Sequence, residues 1–492
     1  MDLSSEVAKQ LEGRDRELTL QVYNSLSRRK EVFPMLAGST LKMFVCGPTV
    51  YDYVHLGHAR TYLAFDMIVR YLEYSGFKVN YLMNITDVAE KVAQRARQLH
   101  REPLELAHEF EVAFLEDIRN LGIRNIDDLE RASDHMPEIQ AQVAGLVGRG
   151  VAYETDTGVY FEVSKFPKFG ELSQQSREDL GLKRLELCSS KRHPEDFSVW
   201  RKLEGGWGYD SPWGFGRPGW HVEDTAISMA KFGDTYDIHG GASELMFPHH
   251  EAEIAQAEAL TGKAPFVRLW LHTGLLSVNG KKMSKSLGNM IRIRDALKDY
   301  RAYELRYYFA SAHYREPVVV SAARLNKAKG KANSLAKAFE VFTTTKLNPG
   351  VKGNAKLAAL VHRAESDFRG CMDDDFDTPR ALTVLVNLSK ALSGLAKRGL
   401  WVDEGAKADA ESRFRSMAGV LGVLPPHRGG GVIFAGARVL VCLSIIVRWG
   451  VGGSGAVLCP IFAKSPNPRA SSSLKRGMGG LLWSVLGFDG VA

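Results

Sequence analysis

Cysteine is scarce in this chain, and its scarcity excludes a fold built on disulfides. The 492 residues include five cysteines, at positions 46, 188, 371, 442 and 459. The number is odd, and no two cysteines lie close together or in a Cys-x-x-Cys spacing. Disulfide-built domains need paired and closely repeated cysteines. We therefore expect free thiols in a reducing compartment, where a cysteine can serve as a metal ligand.

Long apolar segments are missing too. Residues 1–18 are charged and lack the apolar core of a secretory signal, so we expect a cytoplasmic protein. An apolar burst at residues 439–447 is bounded by Arg438 and Arg448. It is shorter than the roughly 20 residues that a transmembrane helix requires. We expect no membrane span and no membrane partner.

The chain also lacks a general basic excess, although its net charge is +7. After Pro426 there are seven basic residues and one acidic residue, Asp489, so the preceding chain carries a net charge near +1. Residues 426–492 contain glycine runs and no glutamate, which indicates an atypical tail, either disordered or translated from a shifted frame. Binding to nucleic acid must therefore be argued from motifs and local basic faces.

Two polar motifs far apart in the chain predict one ATP site. They are His55-Leu56-Gly57-His58 and Lys282-Met283-Ser284-Lys285-Ser286. The first lies where an apolar run breaks and a helix opens, so imidazoles and free backbone N–H groups can face an anion. The second offers two ammonium groups and two hydroxyls to the leaving pyrophosphate. Either motif alone is better explained as a polar turn or a solvated loop, but together they favour the ATP site.

The residues around the first motif have the periodicity of a βαβ unit. Apolar side chains recur at helical spacing between His58 and Ser75, and residues 79–83 are typical of the following strand. Such a unit predicts two parallel strands joined by a crossover helix. A nucleotide site at its opening turn fits this arrangement.

The order of the two motifs resembles the signature of class I aminoacyl-tRNA synthetases. Further segments resemble the cysteinyl-tRNA synthetase family: Cys46–Asp52, Gly216–His221, Asp237–Gly241 and Phe247–Glu251. The resemblance runs from about Val22 to about Leu424. It implies an α/β fold, in which a Rossmann-like catalytic domain with an insertion is followed by an all-α helical bundle domain. It also implies that ATP, L-cysteine and tRNA(Cys) are the substrates.

The resemblance and the changes of composition together predict five segments. Residues 1–150 form the first half of the catalytic domain, 151–220 the connective insertion, 221–320 the second half, 321–425 the tRNA-binding helices and 426–492 the tail. Within the bundle, Asp373–Arg380 resembles an acidic helix start in which Thr378 caps the helix. A basic run around Lys327 is a candidate contact for the tRNA backbone, although a charge run is usually a solvated face. We expect a monomer.

The resemblance assigns roles to individual residues. It implies that His55, His58, Lys282 and Lys285 are catalytic. ATP binding is assigned to these four residues together with Gly57, Met283, Ser284 and Ser286. Thr49, Trp220 and His239 are expected to line the amino-acid pocket. Packing in the core is the alternative for each of these last three.

Selection of cysteine suggests a soft metal, because shape alone separates such close analogues only about 10–200-fold. Zn²⁺ binds a thiolate better than a hydroxyl. His249 and Glu253 lie four residues apart and share a face of a helix begun by Pro248, while Cys46 ends a strand. The family has a cysteine as its fourth ligand, at the position of Asp224. An aspartate oxygen can bind zinc at about 2.0–2.2 Å, but Asp224 is equally explained as an N-cap or as a residue that orients a ligand.

Two other functions remain open. One is a ligase that uses the same adenylate chemistry to attach cysteine to an amino sugar, against which the long helical region argues. The other is a catalytically inactive paralogue, against which the two intact motifs argue. Aminoacylation and pyrophosphate exchange distinguish all three.

Overall fold

The structure is a computed structural model, and it describes residues 20–33, 38–175, 190–284, 287–346, 348, 352–399 and 402–426. The strands are β1 (Gln21–Asn24), β2 (Arg29–Val32), β3 (Thr40–Val45), β4 (Lys78–Ile85), β5 (Asp128–Arg131), β6 (Ala152–Glu154), β7 (Gly158–Phe161), β8 (Phe197–Lys202), β9 (Gly216–Pro218), β10 (Tyr236–Ala242), β11 (Val267–Thr273), β12 (Leu276–Val278), β13 (Lys281–Lys282) and β14 (Val318–Val320). The α-helices are α1 (Leu56–Tyr74), α2 (Glu90–Leu99), α3 (Pro103–Asn120), α4 (Met136–Gly148), α5 (Trp220–Phe232), α6 (Glu251–Thr261), α7 (Ile293–Asp299), α8 (Ala302–Ala310), α9 (Ala322–Thr344), α10 (Asn354–Met372), α11 (Thr378–Lys397) and α12 (Glu404–Leu421).

A five-stranded parallel sheet forms the centre of the catalytic region, with the strand order β11, β10, β3, β4, β5. The βαβ unit predicted around the first motif is β3, α1 and β4. The strand order changes direction between β3 and β10. From this boundary β4 and β5 follow β3 towards one edge of the sheet, and β11 follows β10 towards the other edge. Parallel sheets bind ligands beyond the carboxyl ends of the strands at such a boundary. Cys46 follows β3 directly, so the sheet places it at this position.

Both faces of the sheet are buried. Met43 and Val45 of β3 pack into one hydrophobic core, and Phe44 and Cys46 pack into the other. Side chains alternate between the two faces of a strand, so a continuous apolar run is what a doubly covered strand requires. This burial leaves the strand ends and the following loops to carry the polar side chains.

A second sheet lies within the region predicted as the insertion. Strands β6, β7, β8 and β9 pair in this order, and every pair is antiparallel. The last of these strands leads through Gly219 into α5, which begins at Trp220. The insertion thus positions the start of α5, on which Asp224 lies.

Four helices, α9 to α12, follow the strands and form the bundle predicted for this part of the chain. One local expectation is wrong by a residue. Asp377 is the N-cap of α11, where its carboxylate accepts a hydrogen bond from the Arg380 N–H at 3.0 Å. Thr378 is the first helical residue, so the acidic side chain provides the cap.

Several sequence predictions concern residues outside the described part of the chain. These residues are Lys285, Ser286, Cys188, the N-terminal segment 1–18 and all of the tail beyond Pro426. Among the helices that are described, none combines the length and the apolar character needed to cross a bilayer.

Candidate active site and metal centre

The first motif forms the beginning of α1. His55 is the N-cap, and its Nδ1 accepts a hydrogen bond from the Gly57 N–H at 3.2 Å. The Nδ1 of His58 accepts one from the His55 N–H, also at 3.2 Å. Because both Nδ1 atoms accept, each neutral ring carries its proton on Nε2. The two rings stack with centroids 4.0 Å apart, so two N–H donors lie side by side at a helix N-terminus.

The surroundings of His58 favour its neutral form. Burial lowers its pKa well below the usual range, and the nearby His55 and Lys91 add to the effect. In the absence of a bound anion His58 is therefore a neutral hydrogen-bond donor. A triphosphate brought next to it would stabilise the protonated form.

The segment carrying the second motif lies against the first. A Cβ atom added at Gly57 would lie 2.9 Å from the His55 ring and 3.2 Å from Met283 Cε. The Leu56 N–H donates to the Ile291 carbonyl at 2.9 Å, and the Ile293 N–H donates to the Val54 carbonyl at 3.1 Å. The structure thus brings His55, Gly57, His58 and Met283 together, as one ATP site requires.

Hydrogen bonds from Asn289 stabilise the backbone of the second motif. Asn289 accepts a hydrogen bond from the Ser284 N–H at 2.9 Å and donates one to the Lys282 carbonyl at 3.1 Å. Lys282 itself is exposed at the end of the β12–β13 hairpin. Its side chain is therefore accessible to solvent.

Cys46, Asp224, His249 and Glu253 form a buried cluster, which we call the outer set. Their ligand atoms all lie within 4.8 Å of one another. His249 Nε2 is 3.1 Å from Asp224 Oδ2 and 3.0 Å from Glu253 Oε1. The α-helix proper starts at Glu251, after a π turn that carries His249, and the two side chains still share a face.

The donor atoms of the outer set fit a zinc ion. Two ligands at about 2.0 and 2.3 Å from one ion, at a tetrahedral angle, lie roughly 3.5 Å apart. Glu253 Oε1 has His249 Nε2 as a partner at 3.0 Å, but the fully buried Oε2 accepts no hydrogen bond within the described part of the chain. A metal ion would satisfy this buried carboxylate oxygen. Asp224 belongs to the cluster. Asn84 Nδ2 donates a hydrogen bond to Asp224 Oδ1 at 2.7 Å, and this bond fixes the orientation of the carboxylate.

The ionisation of the outer set reflects its crowded negative charge. Burial, together with Asp224 and Glu253, raises the pKa of the Cys46 thiol well above its usual range. Burial also raises the pKa of Glu253 to about 7, against the opposing effect of His249. Burial disfavours protonation of His249, but Glu253 and Asp224 outweigh it and raise that pKa to about 9. The cluster therefore attracts positive charge.

The three residues expected in the amino-acid pocket have different environments. Trp220 is 43% exposed and stacks on the His249 ring with centroids 4.0 Å apart, so it is not a core residue. Thr49 is half-buried and bridges to Thr86 beside the first motif. His239 is fully buried behind Cys46, with its Nε2 at 3.4 Å from the sulfur.

Sequence reasoning missed several residues that surround the cluster. His250 Nε2 lies 3.2 Å from Cys46 Sγ, and His221 Nδ1 lies 2.8 Å from His249 Nδ1. Asn84, which holds Asp224, was missed too. The adjacent histidines of Phe247–Glu251 were a signal for His250, whereas nothing local marked Asn84 at the end of β4.

Comparisons with known proteins point to the same family as the sequence motifs. Residues 32–330 match the family described as tRNA synthetases class I (C) catalytic domain, and residues 367–425 match the DALR domain. A protein of Heliobacterium modesticaldum named cysteine–tRNA ligase is 40% identical over 418 residues, which are 82% of this chain and 87% of that protein. A Pseudomonas aeruginosa protein of the same name is 41% identical over 409 residues, covering 82% of this chain and 85% of that protein.

Solved structures share the fold at much lower identity. Mycobacterium tuberculosis methionyl-tRNA synthetase in complex with methionyl-adenylate superposes with a TM-score of 0.57 at 17% identity, covering 78% of this chain and 90% of that one. The leucyl enzyme in a ternary complex from Agrobacterium radiobacter gives a TM-score of 0.58 at 9% identity, covering 79% of this chain and 84% of that one. Both support the class I fold that was predicted. With the match over residues 32–330 and relatives that are more than one third identical, the chain belongs to the cysteine–tRNA ligase family of class I aminoacyl-tRNA synthetases.

Proposed function

We propose that the protein activates L-cysteine with ATP and transfers the cysteinyl group to the 3′ end of tRNA(Cys). The observation that carries this proposal is the close approach of the two motifs, together with the buried cluster of cysteine, carboxylate and imidazole groups. The two motifs supply an ATP site, and the buried cluster supplies a means of recognising sulfur. The match to the DALR domain over residues 367–425 favours tRNA over an amino sugar as the acceptor.

In the first step the cysteine carboxylate attacks the α-phosphorus of Mg-ATP. A phosphorus–oxygen bond to the carboxylate forms as the bond to the bridging oxygen of pyrophosphate breaks. His55 and His58 donate from Nε2 to phosphate oxygens, and Lys282 and Lys285 offset the charge that develops on the leaving pyrophosphate. The step needs no nucleophile from the protein.

In the second step a hydroxyl of the terminal ribose of tRNA attacks the carbonyl carbon of the adenylate. The ester bond forms as the bond to AMP breaks. The mixed anhydride is already activated, so alignment of the two substrates is the main requirement. The monomeric state and the cytoplasmic location stay predictions from the sequence.

Recognition of cysteine is assigned to the outer set, Cys46, Asp224, His249 and Glu253. When bound there, Zn²⁺ would supply a soft Lewis acid that favours a thiolate over the hydroxyl of serine. The exposed Trp220 ring stacks on His249, which supports access of an incoming side chain to the buried set from this side. Thr49 and Trp220 would confine the amino acid there, with His239 behind Cys46.

Two assays on the purified full chain test the proposal. Cysteine-dependent ATP–pyrophosphate exchange reads the first step, and charging of tRNA(Cys) reads both steps. Charging with cysteine, but not with serine, is the expected result. Exchange without charging would favour the amino-sugar ligase, and the absence of both activities would favour an inactive paralogue.

A further inference from the structure

A second group of four donors lies directly behind the outer set. Cys46, His239, His250 and Glu253, which we call the inner set, present ligand atoms within 4.8 Å of one another. Cys46 Sγ is 3.4 Å from His239 Nε2 and 3.2 Å from His250 Nε2. These spacings match the roughly 3.5 Å expected between two donors on one tetrahedral zinc ion. The two sets share Cys46 and Glu253.

The imidazoles of the inner set are held with Nε2 towards the sulfur. The other ring nitrogen of His239 lies 2.6 Å from the Tyr236 hydroxyl. The Nδ1 of His250 lies 2.8 Å from His272 Nε2. Metal-binding histidines are oriented in this way, by a hydrogen bond at the nitrogen that does not bind the ion.

The backbone leaves room for this arrangement. A Cβ atom added at Gly241 would lie 2.8 Å from Cε1 and 3.1 Å from Nε2 of His250. Any side chain at position 241 would therefore displace the ring edge that faces Cys46. On the other side, His239 stacks on Trp270 with centroids 4.5 Å apart.

Donor chemistry favours the inner set when no amino acid is bound. It offers one sulfur, two nitrogens and one carboxylate, whereas the outer set offers one sulfur, one nitrogen and two carboxylates. Zinc prefers sulfur and nitrogen to oxygen. A thiolate and one carboxylate also neutralise a divalent ion, while the outer set would leave one net negative charge in a buried site.

We propose that the inner set is a second zinc position, which holds the ion in the amino-acid-free protein and does not depend on Asp224. This inference rests on the zinc assignment of the proposed function. Moving an ion to the outer set exchanges two histidines for Asp224 and His249 and keeps Cys46 and Glu253 as ligands. The replacement of the family's cysteine by Asp224 is then compatible with tight retention of the metal.

X-ray absorption at the zinc edge tests the inference, because scattering from imidazole rings counts the histidine ligands. The sample is the full-length zinc-loaded protein without cysteine or ATP. We expect two imidazoles and one sulfur around each ion. The Asp224→Ala variant should retain about one zinc per chain with the same two imidazoles.

His250→Gln provides the matched variant, because it removes only an inner ligand and keeps a polar side chain of similar size. It should reduce the imidazole number from two to one, with zinc in the outer set. Combined with Asp224→Ala, it should lose most of the metal. One imidazole in the wild-type spectrum, or loss of zinc from Asp224→Ala alone, would overturn the inference and leave the proposed function intact. A wild-type protein that binds no zinc would overturn both.

Discussion

At the scale of single residues, Lys282 of the second motif and Lys281, which directly precedes the motif, provide a direct test of the ATP site. Side chains alternate along a strand, so Lys281 and Lys282 point to opposite faces of the β12–β13 hairpin. We expect Lys282→Ala to lower the rate of cysteine-dependent pyrophosphate exchange about 10²–10³-fold, the usual loss when one preorganised charge is removed. Lys281→Ala is the control and should change the rate little. Equal losses in the two variants would contradict the assignment of Lys282.

Gly57 supports a second prediction, which depends on space. A methyl group at this position would contact the His55 ring and Met283, which belong to the two different motifs. We expect Gly57→Ala to slow pyrophosphate exchange on the order of 10²-fold, because small displacements of catalytic groups have such effects. The matched control is Gly330→Ala in α9, where a Cβ atom would meet nothing within 4 Å. That variant should keep full activity, and normal exchange by Gly57→Ala would contradict the dependence of adenylate formation on the position of the His55 ring.

The residues of the site differ in how far they could be predicted from the sequence. His55, His58 and Lys282 lie in two short motifs that together favour one chemical explanation, an ATP site. The outer set was predicted from three separate segments, each of which contains or adjoins a recognisable motif. His221 and Asn84 could not be predicted, because their roles depend on partners 28 and 140 residues away. Only the folded chain brings those partners within hydrogen-bonding distance.

At the scale of elements, a buried ion-pair network joins α1, α8 and α12. Asp66 of α1 accepts hydrogen bonds from Arg70 at 2.7 Å and from Arg306 of α8 at 2.5 Å. The Arg306 guanidinium also donates to the Leu421 carbonyl at the end of α12, at 3.0 Å. A Cβ atom at Gly422 would clash with this guanidinium, so the glycine allows the close approach. The network thus fastens the last helix of the bundle to the catalytic region.

Asp66→Asn should be strongly destabilising. The substitution leaves the Arg306 charge buried without its partner, which typically costs about 3–5 kcal/mol. Burial raises the pKa of Asp66, but Arg70 and Arg306 outweigh it and lower the pKa overall. The stabilisation is therefore present above the pKa of an unfolded aspartate and is lost as the pH falls through the lowered value.

Urea unfolding at neutral pH measures this difference. Asp409→Asn is the control, because its pair with Arg413 lies on the surface within α12 and contributes at most about 1 kcal/mol. Similar free energies of unfolding for the two variants would mean that the buried network does not stabilise the packing of α12.

The cap of α11 shows how far a helix boundary can be predicted from the local sequence. Asp377 and Thr378 are both good caps by type, and only the backbone geometry distinguishes them.

At the scale of the whole molecule, the class I fold followed by a helical region could be predicted because motif order and composition agree. The exact limits of the five segments stay predictions. The two family matches, 32–330 and 367–425, leave residues 331–366 unassigned between them. Helix α9 begins just before this interval and ends within it. It connects the catalytic region to the rest of the bundle.

One face of α9 has the charge expected of an RNA contact. Arg324, Lys327 and Lys331 follow one another at helical spacing, are all exposed and span about 10 Å. None of the three forms an ion pair with another described residue, and the sequence has no acidic residue between Ala322 and Phe339. Lys329 differs, because it points away and donates to the Asp299 carbonyl at 2.9 Å. The three exposed cations are therefore available to phosphate groups.

We expect the combined substitution Lys327→Glu and Lys331→Glu to raise the KM for tRNA(Cys) while leaving pyrophosphate exchange unchanged. Each lost phosphate contact should also make the dependence of log Kd on log salt concentration less steep by about 1. The control is Lys352→Glu combined with Lys356→Glu, at exposed lysines just before and within α10, because it changes the net charge by the same amount. If α9 is only a solvated face, the double variant will bind tRNA like this control. A selective loss would instead mean that the helix linking the two regions of the enzyme also positions the RNA, so that this helix holds the tRNA body while the catalytic region receives its 3′ end.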